Sequence, residues 1–313
     1  MQGLVIKNTG SWYTVRTDDA QNVDCKIKGN FRLKGIRSTN PVAVGDRVEI
    51  VRNQEGTAFI TAICDRRNYI IRKSQNLSKQ SHIIAANVDQ AFLIVTVNYP
   101  QTSTIFIDRF LATAEAYSVP TVLVFNKTDI LSDEERHYQE MMMTLYRTIG
   151  YECVAVSATT GLGMDSIQPM LKDKITLLSG NSGVGKSTLL NRLFPSLSLE
   201  TGQTSKKLGR GRHTTRVVEL FELDGCFVAD TPGFSTVDLQ RYEMIDKTQL
   251  QYCFPEFEKY IGECMFTSCS HTCEKGCRIL EALSDGEIEE TRHRSYTQMY
   301  NEVKDIKLWQ IKE

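Results

Sequence analysis

The sequence lacks any apolar run of about 20 residues, the length that crosses a bilayer, and residues 1–7 lack the apolar core of a signal peptide. It also lacks internal repeats and low-complexity tracts, and its formal net charge is only −1. A chain without a large positive excess can contact nucleic acid only through local clusters of Lys and Arg. These absences predict a globular cytoplasmic protein with no membrane partner.

Cysteine is well represented, with nine residues in the chain. Because disulfides are uncommon in a reducing cytoplasm, closely spaced cysteines are better explained there by metal binding. Cys264, Cys269, His271 and Cys277 provide three thiolates and one imidazole, a common closed ligand set for one structural Zn²⁺. Soft thiolates favour zinc over magnesium or calcium. Cys273 is an alternative to His271 as the fourth ligand, and the spacing alone leaves that choice open.

Residues 1–70 contain short runs of β-type residues separated by turn signals. There are five such runs, at residues 3–7, 12–17, 23–27, 47–51 and 57–63. Five short strands with regular turns predict a small all-β barrel, for which an OB-fold is the natural candidate.

From residue 71 to residue 238, continuous apolar runs alternate with helical periodicity. The runs occupy residues 91–97, 121–125, 153–156 and 175–178, and the helical patterns residues 106–117 and 134–149. Such runs are typical of strands buried on both faces of a parallel sheet, and the alternation predicts a doubly wound α/β domain. Residues 239–313 are polar and mainly helical in pattern, which predicts a zinc-binding helical domain with little core of its own.

Residues 180–187 (GNSGVGKS) match the phosphate-binding pattern G-x-x-x-x-G-K-[ST] in full, between an apolar run and the start of a helix. Glycines let a backbone wrap closely around a phosphate, and the helix N-terminus adds a positive field. Lys186 should reach the β- and γ-phosphates, and the Ser187 hydroxyl should ligate Mg²⁺. The expected phosphate-binding residues are Gly180, Asn181, Ser182, Gly183, Val184, Gly185, Lys186, Ser187 and Thr188.

The sequence NKTD at residues 126–129 follows another apolar run, and the ends of parallel strands line the ligand crevice of an α/β sheet. The Asp129 carboxylate can accept two hydrogen bonds from guanine, whereas adenine offers no matching pair of donors. Lys127 is expected over the base, and Asn126 is expected to join this loop to the phosphate loop. Ser157 and Ala158 fit a supporting loop whose Ala158 N–H meets guanine O6. The motifs together predict GTP and GDP as ligands rather than ATP.

The sequence DTPG at residues 230–233 fits the D-x-x-G loop of GTPases, in which Asp230 would hold Mg²⁺ through water and the Gly233 N–H would sense the γ-phosphate. Upstream, residues 206–216 (KKLGRGRHTTR) form a basic loop with two threonines. One of them should ligate Mg²⁺ beside Ser187. We favour Thr215, and the pattern does not exclude Thr214.

Ras-like GTPases orient the attacking water with a glutamine directly after D-x-x-G. This chain has Phe234 at that position, which cannot hydrogen-bond to water, so we expect slow intrinsic turnover. His213 is the best internal replacement because an imidazole can relay a proton near neutral pH. A loop histidine can equally be a contact to nucleic acid or solvent. The expected catalytic residues are His213, Lys186 and Gly233.

The motifs occur in a permuted order, with NKTD and Ser-Ala before the phosphate loop and D-x-x-G after it. The sheet can still close, because permutation only moves the chain ends to another exposed connection. With the predicted barrel and the cysteines, this order resembles the RsgA (YjeQ) family of bacterial ribosome-assembly GTPases over essentially the whole chain. The resemblance is carried by residues 126–129, 180–187, 209–215, 230–234 and 264–277.

The resemblance implies a GTPase that is stimulated by the small ribosomal subunit and acts late in its maturation, with that subunit and its rRNA as partners. It also implies a catalytic role for His213 and a zinc ligand set without Cys273. Nothing in the sequence indicates an obligate dimer, so we expect a monomer. Because Phe234 keeps turnover in question, the alternative is an RNA-binding assembly factor that holds GTP mainly as a structural ligand.

Three basic clusters stand out, of which the first two are candidate RNA contacts, although charge runs are usually solvated surface. They comprise Lys26, Lys28, Arg32, Lys34 and Arg37 with Phe31; Arg66, Arg67, Arg72 and Lys73; and Arg292, His293 and Arg294. Basic residues beside an aromatic suit backbone and stacking contacts to RNA on an OB-fold. The third cluster is expected on an exposed helix surface.

Overall fold

The computed structural model describes residues 1–27, 41–53, 57–73, 81–195, 219–223, 225–230 and 245–305. Within these ranges, no helix is long and apolar enough to span a membrane. The chain divides into two compact units. One comprises Met1–Ala91, Asp165–Ser179 and Ser187–Phe234, and the other Phe92–Met164, Gly180–Lys186 and Ser235–Glu313. The domain bounds at residues 70 and 238 stay a prediction.

A five-stranded closed barrel begins the first unit. Its strands are β1 (Gln2–Asn8), β2 (Tyr13–Thr17), β3 (Asn22–Ile27), β4 (Arg47–Arg52) and β5 (Ala58–Ile63). They pair in the order β1-β2-β3-β5-β4, with only β3 and β5 parallel. Alternate residues of β2, namely Tyr13, Val15 and Thr17, are buried, which is the period-2 pattern of a strand with one face in a core. The predicted N-terminal barrel is confirmed.

Two strands that the sequence analysis did not predict follow the barrel. Strands β6 (Tyr69–Lys73) and β7 (Ser81–Ala86) form an antiparallel pair with a bulge between Ile70 and Ile71. Their sequences carry pairs of isoleucines but no sustained alternation, so periodicity alone gives no clear strand signal.

Arg66, which the sequence analysis grouped with candidate RNA contacts, has an internal role instead. Its Nε and Nη2 donate to the two carboxylate oxygens of buried Asp46, both at 2.6 Å, and Nη2 also donates to the Pro41 carbonyl at 2.7 Å. Only 8% of the Arg66 side chain is exposed. A buried bidentate pair fixes the chain where it leaves the barrel and leaves this guanidinium unavailable to RNA.

The α/β region contains a six-stranded sheet of order β10-β9-β8-β11-β13-β12. Its strands are β8 (Gln90–Val95), β9 (Thr121–Phe125), β10 (Glu152–Ala155), β11 (Ile175–Ser179), β12 (Leu220–Leu223) and β13 (Cys226–Asp230). Every residue of β8, β9 and β11 is buried, as the continuous apolar runs predicted. Strand β10 is parallel to β9 and β11 to β13, whereas β12 runs antiparallel to β13. The predicted α/β fold is confirmed.

The helices of the described residues are α1 (Thr104–Ala116), α2 (Asp133–Ile149), α3 (Ile167–Leu171), α4 (Lys186–Leu193), α5 (Arg278–Ser284) and α6 (Glu290–Val303). Helix α2 begins with a capping box, in which the Ser132 hydroxyl accepts from the Glu135 N–H and the Glu135 carboxylate accepts from the Ser132 N–H. It ends at Gly150, whose φ of 117° lies in the left-handed region that favours glycine.

The C-terminal region has a larger apolar core than its polar composition predicted. Phe254, Phe257, Tyr296 and Met299 are buried together, and Ala112 of α1 belongs to the same cluster. The expectation that this region has little core of its own was therefore wrong. The region completes its core by packing on α1, which sequence composition does not reveal.

Candidate nucleotide and metal sites

The phosphate-binding motif forms the turn that leads into α4. Gly180, Gly183 and Gly185 have φ values of 142°, 85° and 99°, a region that side chains disfavour. A Cβ on Gly180 would lie 2.4 Å from the Ile94 carbonyl oxygen. Lys186 Nζ donates to the carbonyls of Gly180 and Asn181 at 2.7 and 2.8 Å, so its ammonium lies against the loop expected to enclose phosphate. Within this stretch Val184 and Ser187 are buried, Asn181 and Thr188 are half-buried and Ser182 is exposed.

Asn126 joins the two nucleotide loops, as its position after β9 predicted. Its Nδ2 donates to the Val184 carbonyl of the phosphate loop at 2.8 Å, and its Oδ1 accepts from the Ala158 N–H at 3.0 Å. The side chain is 2% exposed, so both bonds lie away from competing water. One buried amide thus holds three segments together across 58 residues of chain. The contact of the Ala158 N–H with guanine O6 stays a prediction, since this N–H already serves Asn126.

Lys127 and Asp129 lie on the exposed side of the same loop. Lys127 has a left-handed φ of 66°, and its ammonium donates to the Tyr99 carbonyl. Asp129 is exposed in a short 3-10 helix over Thr128–Ile130. The Thr128 hydroxyl donates to the Val156 carbonyl at 2.9 Å, which fixes the backbone from which both side chains project. Ser157 is fully buried and its Oγ accepts from the Thr160 N–H at 3.0 Å.

One further segment, which was not predicted from the sequence, borders both loops: the residues that follow β8. The Tyr99 carbonyl accepts from Lys127, and the Pro100 ring lies 3.4 Å from a Cβ built on Gly183. Segments that follow neighbouring strands of such a sheet meet at one edge, and that rule could have identified this segment. It carries no recognisable motif to draw attention to it.

Gly185→Ala is expected to weaken nucleotide binding by at least about tenfold, from backbone strain and the loss of one hydrogen bond. The new Cβ would lie 2.4 Å from Asn126 Nδ2 and displace the amide that joins the loops. Titration with a fluorescent GTP analogue measures the change. Gly150→Ala is the matched control, because Gly150 has a similarly positive φ of 117° with no atom within 4 Å of an added Cβ. Equal affinities for the two variants would show that the Asn126 bridge is not needed.

The four predicted metal ligands lie together. The Sγ atoms of Cys264, Cys269 and Cys277 and one ring nitrogen of His271 are all within 4.8 Å of one another. His271 Nδ1 is 3.6 Å from the Cys264 sulfur and 3.5 Å from the Cys277 sulfur. Cys273 is exposed and is not part of this group. Three soft sulfurs and one imidazole at this spacing fit a tetrahedral zinc ion.

Comparisons with known proteins identify the family of this chain. The family model described as "RsgA GTPase" matches residues 63–240, and that described as "RsgA N-terminal domain" matches residues 2–60. The chain belongs to the RsgA GTPase family. It is therefore a GTP hydrolase, and membership of a GTPase family implies Mg²⁺ with the nucleotide.

Relatives of this RsgA-family chain cover nearly its whole length. "Small ribosomal subunit biogenesis GTPase RsgA 2" of Bacteroides thetaiotaomicron is 55% identical over 98% of both chains, and "Small ribosomal subunit biogenesis GTPase RsgA" of Bacteroides fragilis has the same identity and coverage. The crystal structure of YjeQ from Thermotoga maritima has a TM-score of 0.79 and 33% identity, over 98% of this chain and 99% of that one. The structure of YloQ, "a circularly permuted GTPase", has a TM-score of 0.76 and 31% identity, over 98% and 96%. The predicted circular permutation agrees with this likeness.

Several predicted site residues of this RsgA-family chain lie outside the described residues. They are His213, Thr214, Thr215, Gly233 and Phe234 in the GTPase region and Lys28, Phe31, Arg32, Lys34 and Arg37 in the barrel. Asp230 is described as the last residue of β13. The roles assigned to all of them stay predictions.

Gln251 is a residue near the metal ligands that the sequence analysis did not single out. Its Nε2 donates to the Thr248 carbonyl at 3.1 Å, which turns its Oε1 toward His271 Nε2 at 2.8 Å. An imidazole whose Nε2–H donates to an amide oxygen keeps a lone pair on Nδ1, the nitrogen that faces the sulfurs. Burial also lowers the pKa of His271, which favours the neutral, metal-binding form. Spacing gives no signal for Gln251, because it lies 20 residues before the histidine.

Gln251→Leu is expected to lower zinc affinity by about 10- to 100-fold, the usual effect of removing a group that orients a metal-binding histidine. Gln251→Glu should retain affinity, since a carboxylate also accepts from Nε2–H. Competition with a chromogenic chelator measures the affinity directly. Gln249→Leu is the control, because Gln249 is exposed two residues earlier. If both leucine variants bind zinc like the parent protein, Gln251 does not orient His271.

Proposed function

We propose that this protein hydrolyses GTP on the small ribosomal subunit, as a switch late in that particle's maturation. The nucleotide part of the proposal depends on the Asn126 bridge, which places the base-reading loop against the phosphate loop. The ribosomal part is supported by relatives that are named small ribosomal subunit biogenesis GTPases and are 55% identical over 98% of this chain.

The predicted nucleotide-site residues would each have a distinct part in this reaction. Asp129 would select guanine, and Lys186 would release its two loop carbonyls to contact the β- and γ-phosphates. Ser187, buried at the start of α4, would ligate Mg²⁺ together with Thr215 and, through water, Asp230. The ion, when bound with GTP, neutralises charge that develops on the phosphates. Gly233 and the basic loop would respond to the γ-phosphate and change conformation on its loss.

The cluster formed by Cys264, Cys269, His271 and Cys277 would hold one structural zinc ion. Its closed set of four ligands leaves no position for a reacting water. The His293 Nε2–H donates to the His271 carbonyl at 2.7 Å, so the ligand loop is fixed to α6. Zinc would therefore order the surface of the C-terminal region, and its role is structural.

RNA contact by the barrel is supported by Lys26, whose ammonium lies 4.4 Å from the ring centroid of Trp12. Trp12 is 42% exposed, so the pair presents an aromatic face and a cation to solvent, as proteins that stack RNA bases do. We propose rRNA of the small subunit as the ligand and a monomer as the acting species.

The test is GTP turnover by the zinc-loaded protein with and without isolated small ribosomal subunits, with ATP as the control nucleotide. Strong GTP-selective stimulation is the expected result. Tight GTP binding with no stimulation would favour the alternative, an RNA-binding assembly factor in which GTP is a structural ligand.

His213→Ala should lower stimulated turnover by about 10²- to 10⁴-fold, the usual contribution of a general acid or base. GTP affinity should change little, because the imidazole is proposed to act on the attacking water. Rates at saturating GTP and small subunit measure the effect. Unchanged turnover would show that His213 does not act on the attacking water, and no other residue of this chain is predicted to do so.

A further inference from the structure

A groove of about 870 Å³ lies between α2 and the C-terminal region of the second unit. One wall is formed by α2, from His137 to Ile149, and the other by residues 255–259 and 286–289. None of the lining residues belongs to the nucleotide loops or to the zinc ligands. The groove therefore has no part in the proposed GTPase reaction.

The floor of this groove is apolar. Met141, Leu145 and Ile149 recur at four-residue spacing along α2, which places them on one face of the helix. Met141 is 57% exposed, and the other two are half-buried. Pro255 and Ile288 line the opposite wall, where Pro255 is half-buried and Ile288 is buried. Met141, Leu145 and Ile149 thus form an apolar stripe on α2, which offers contact area to an apolar side chain of a binding partner.

The rim of the groove is acidic. Two of its glutamates are already paired, Glu256 with Arg292 at 2.6 Å and Glu287 with Lys259 at 2.9 Å. Glu140, Glu258 and Glu289 also line the groove, are exposed, and have no ion pair within the described part of the chain. The rim therefore keeps an excess of negative charge.

We infer that this groove binds a Lys/Arg-rich peptide segment that carries one or two large apolar side chains. The three unpaired glutamates would contact the cations, and the stripe on α2 would receive the apolar groups. The thirteen residues of α2 from His137 to Ile149 span about 18 Å, which matches five or six extended peptide residues. RNA does not fit this surface, because unpaired carboxylates repel phosphates.

Basic arms of this composition are common in proteins that themselves bind RNA. The groove would thus let the protein contact a protein partner while its basic barrel contacts RNA. This inference goes beyond the proposed function, and its test uses the zinc-loaded protein without GTP.

The probe is a fluorescein-labelled peptide with two leucines among five lysines, titrated with full-length protein and followed by anisotropy. The triple variant Glu140→Gln, Glu258→Gln, Glu289→Gln should bind about tenfold more weakly, because three exposed ion pairs with the peptide would be lost together. Glu134→Gln is the matched control, because Glu134 is an exposed acid of the same helix outside the groove. Its affinity for the peptide should equal that of the parent protein.

A second peptide, with serines in place of the leucines, tests the apolar floor. The parent protein should prefer the leucine peptide, and Met141→Ser should reduce that preference. Unfolding temperatures confirm that each variant is folded. The inference is overturned if the triple variant binds like the parent, if Glu134→Gln weakens binding as much, or if an oligouridine competes with the peptide.

Discussion

Asp129→Asn is expected to change the base preference of this protein from GTP to xanthosine triphosphate. A carboxylate accepts from guanine N1–H and the 2-amino group, and each hydrogen bond to a charged group contributes about 1.5–3 kcal/mol. Loss of both should weaken GTP binding by roughly 10²- to 10⁴-fold. Xanthine has a carbonyl where guanine has its amino group, so the new amide can donate to it. Competition between the two triphosphates for one fluorescent analogue measures the change.

Asp133→Asn is the matched control for this experiment. Asp133 is a fully exposed acid in the first turn of α2, four residues after Asp129. Its loss should leave the preference for GTP intact. If Asp129→Asn also keeps that preference, the base is selected elsewhere, and the Ala158 N–H becomes the first alternative to examine.

Arg292→Ala should lower the free energy of unfolding by about 3–5 kcal/mol, the usual effect of leaving buried charges without their partner. Arg292 is 1% exposed, which overturns the expectation that it lies on an exposed basic surface. Its Nη1 donates to Asp108 Oδ1 at 2.8 Å and its Nε to Glu256 Oε1 at 2.6 Å. The guanidinium also lies 4.6 Å from the centroid of the Phe254 ring. Denaturant unfolding at neutral pH measures the loss.

Arg292→Met isolates the electrostatic part of this effect, because methionine restores much of the lost volume. Burial raises the pKa of Asp108 even beside Arg292, and removal of the cation should raise it further. A folded state that binds protons more tightly than the unfolded state gains stability as pH falls. The deficit of Arg292→Met relative to the parent should therefore shrink between neutral pH and the ordinary pKa of aspartate, near pH 4.

Arg294→Ala is the control for both variants, since Arg294 is exposed two residues later on α6. Exposed substitutions of this kind usually change stability by less than about 0.5 kcal/mol. A similarly small loss in Arg292→Ala would mean that the buried network does not stabilise the fold. A deficit of Arg292→Met that does not change with pH would remove Asp108 from the explanation.

The sequence predicted features whose signal is local. The metal ligands lie within fourteen residues, and strands such as β9 and β11 are continuous apolar runs whose burial follows from composition. The Asn126 bridge was predictable because each loop carries its own motif. The burial of Arg292 was not predictable, because its partner Asp108 is 184 residues away in the sequence and nothing near either residue indicates burial. Arg66 was misassigned for the same reason, since Asp46 lies 20 residues before it.

The core shared by α1 and the C-terminal region has a consequence for synthesis. Helix α1 is translated long before its partner α6, and at about 5–20 residues per second the delay is roughly 10–40 s. During that time the side chains around Ala112 have no cover and Asp108 has no counter-ion. A chain that ends before α6 keeps both defects permanently, so we expect proteases to degrade it more readily than the full-length protein.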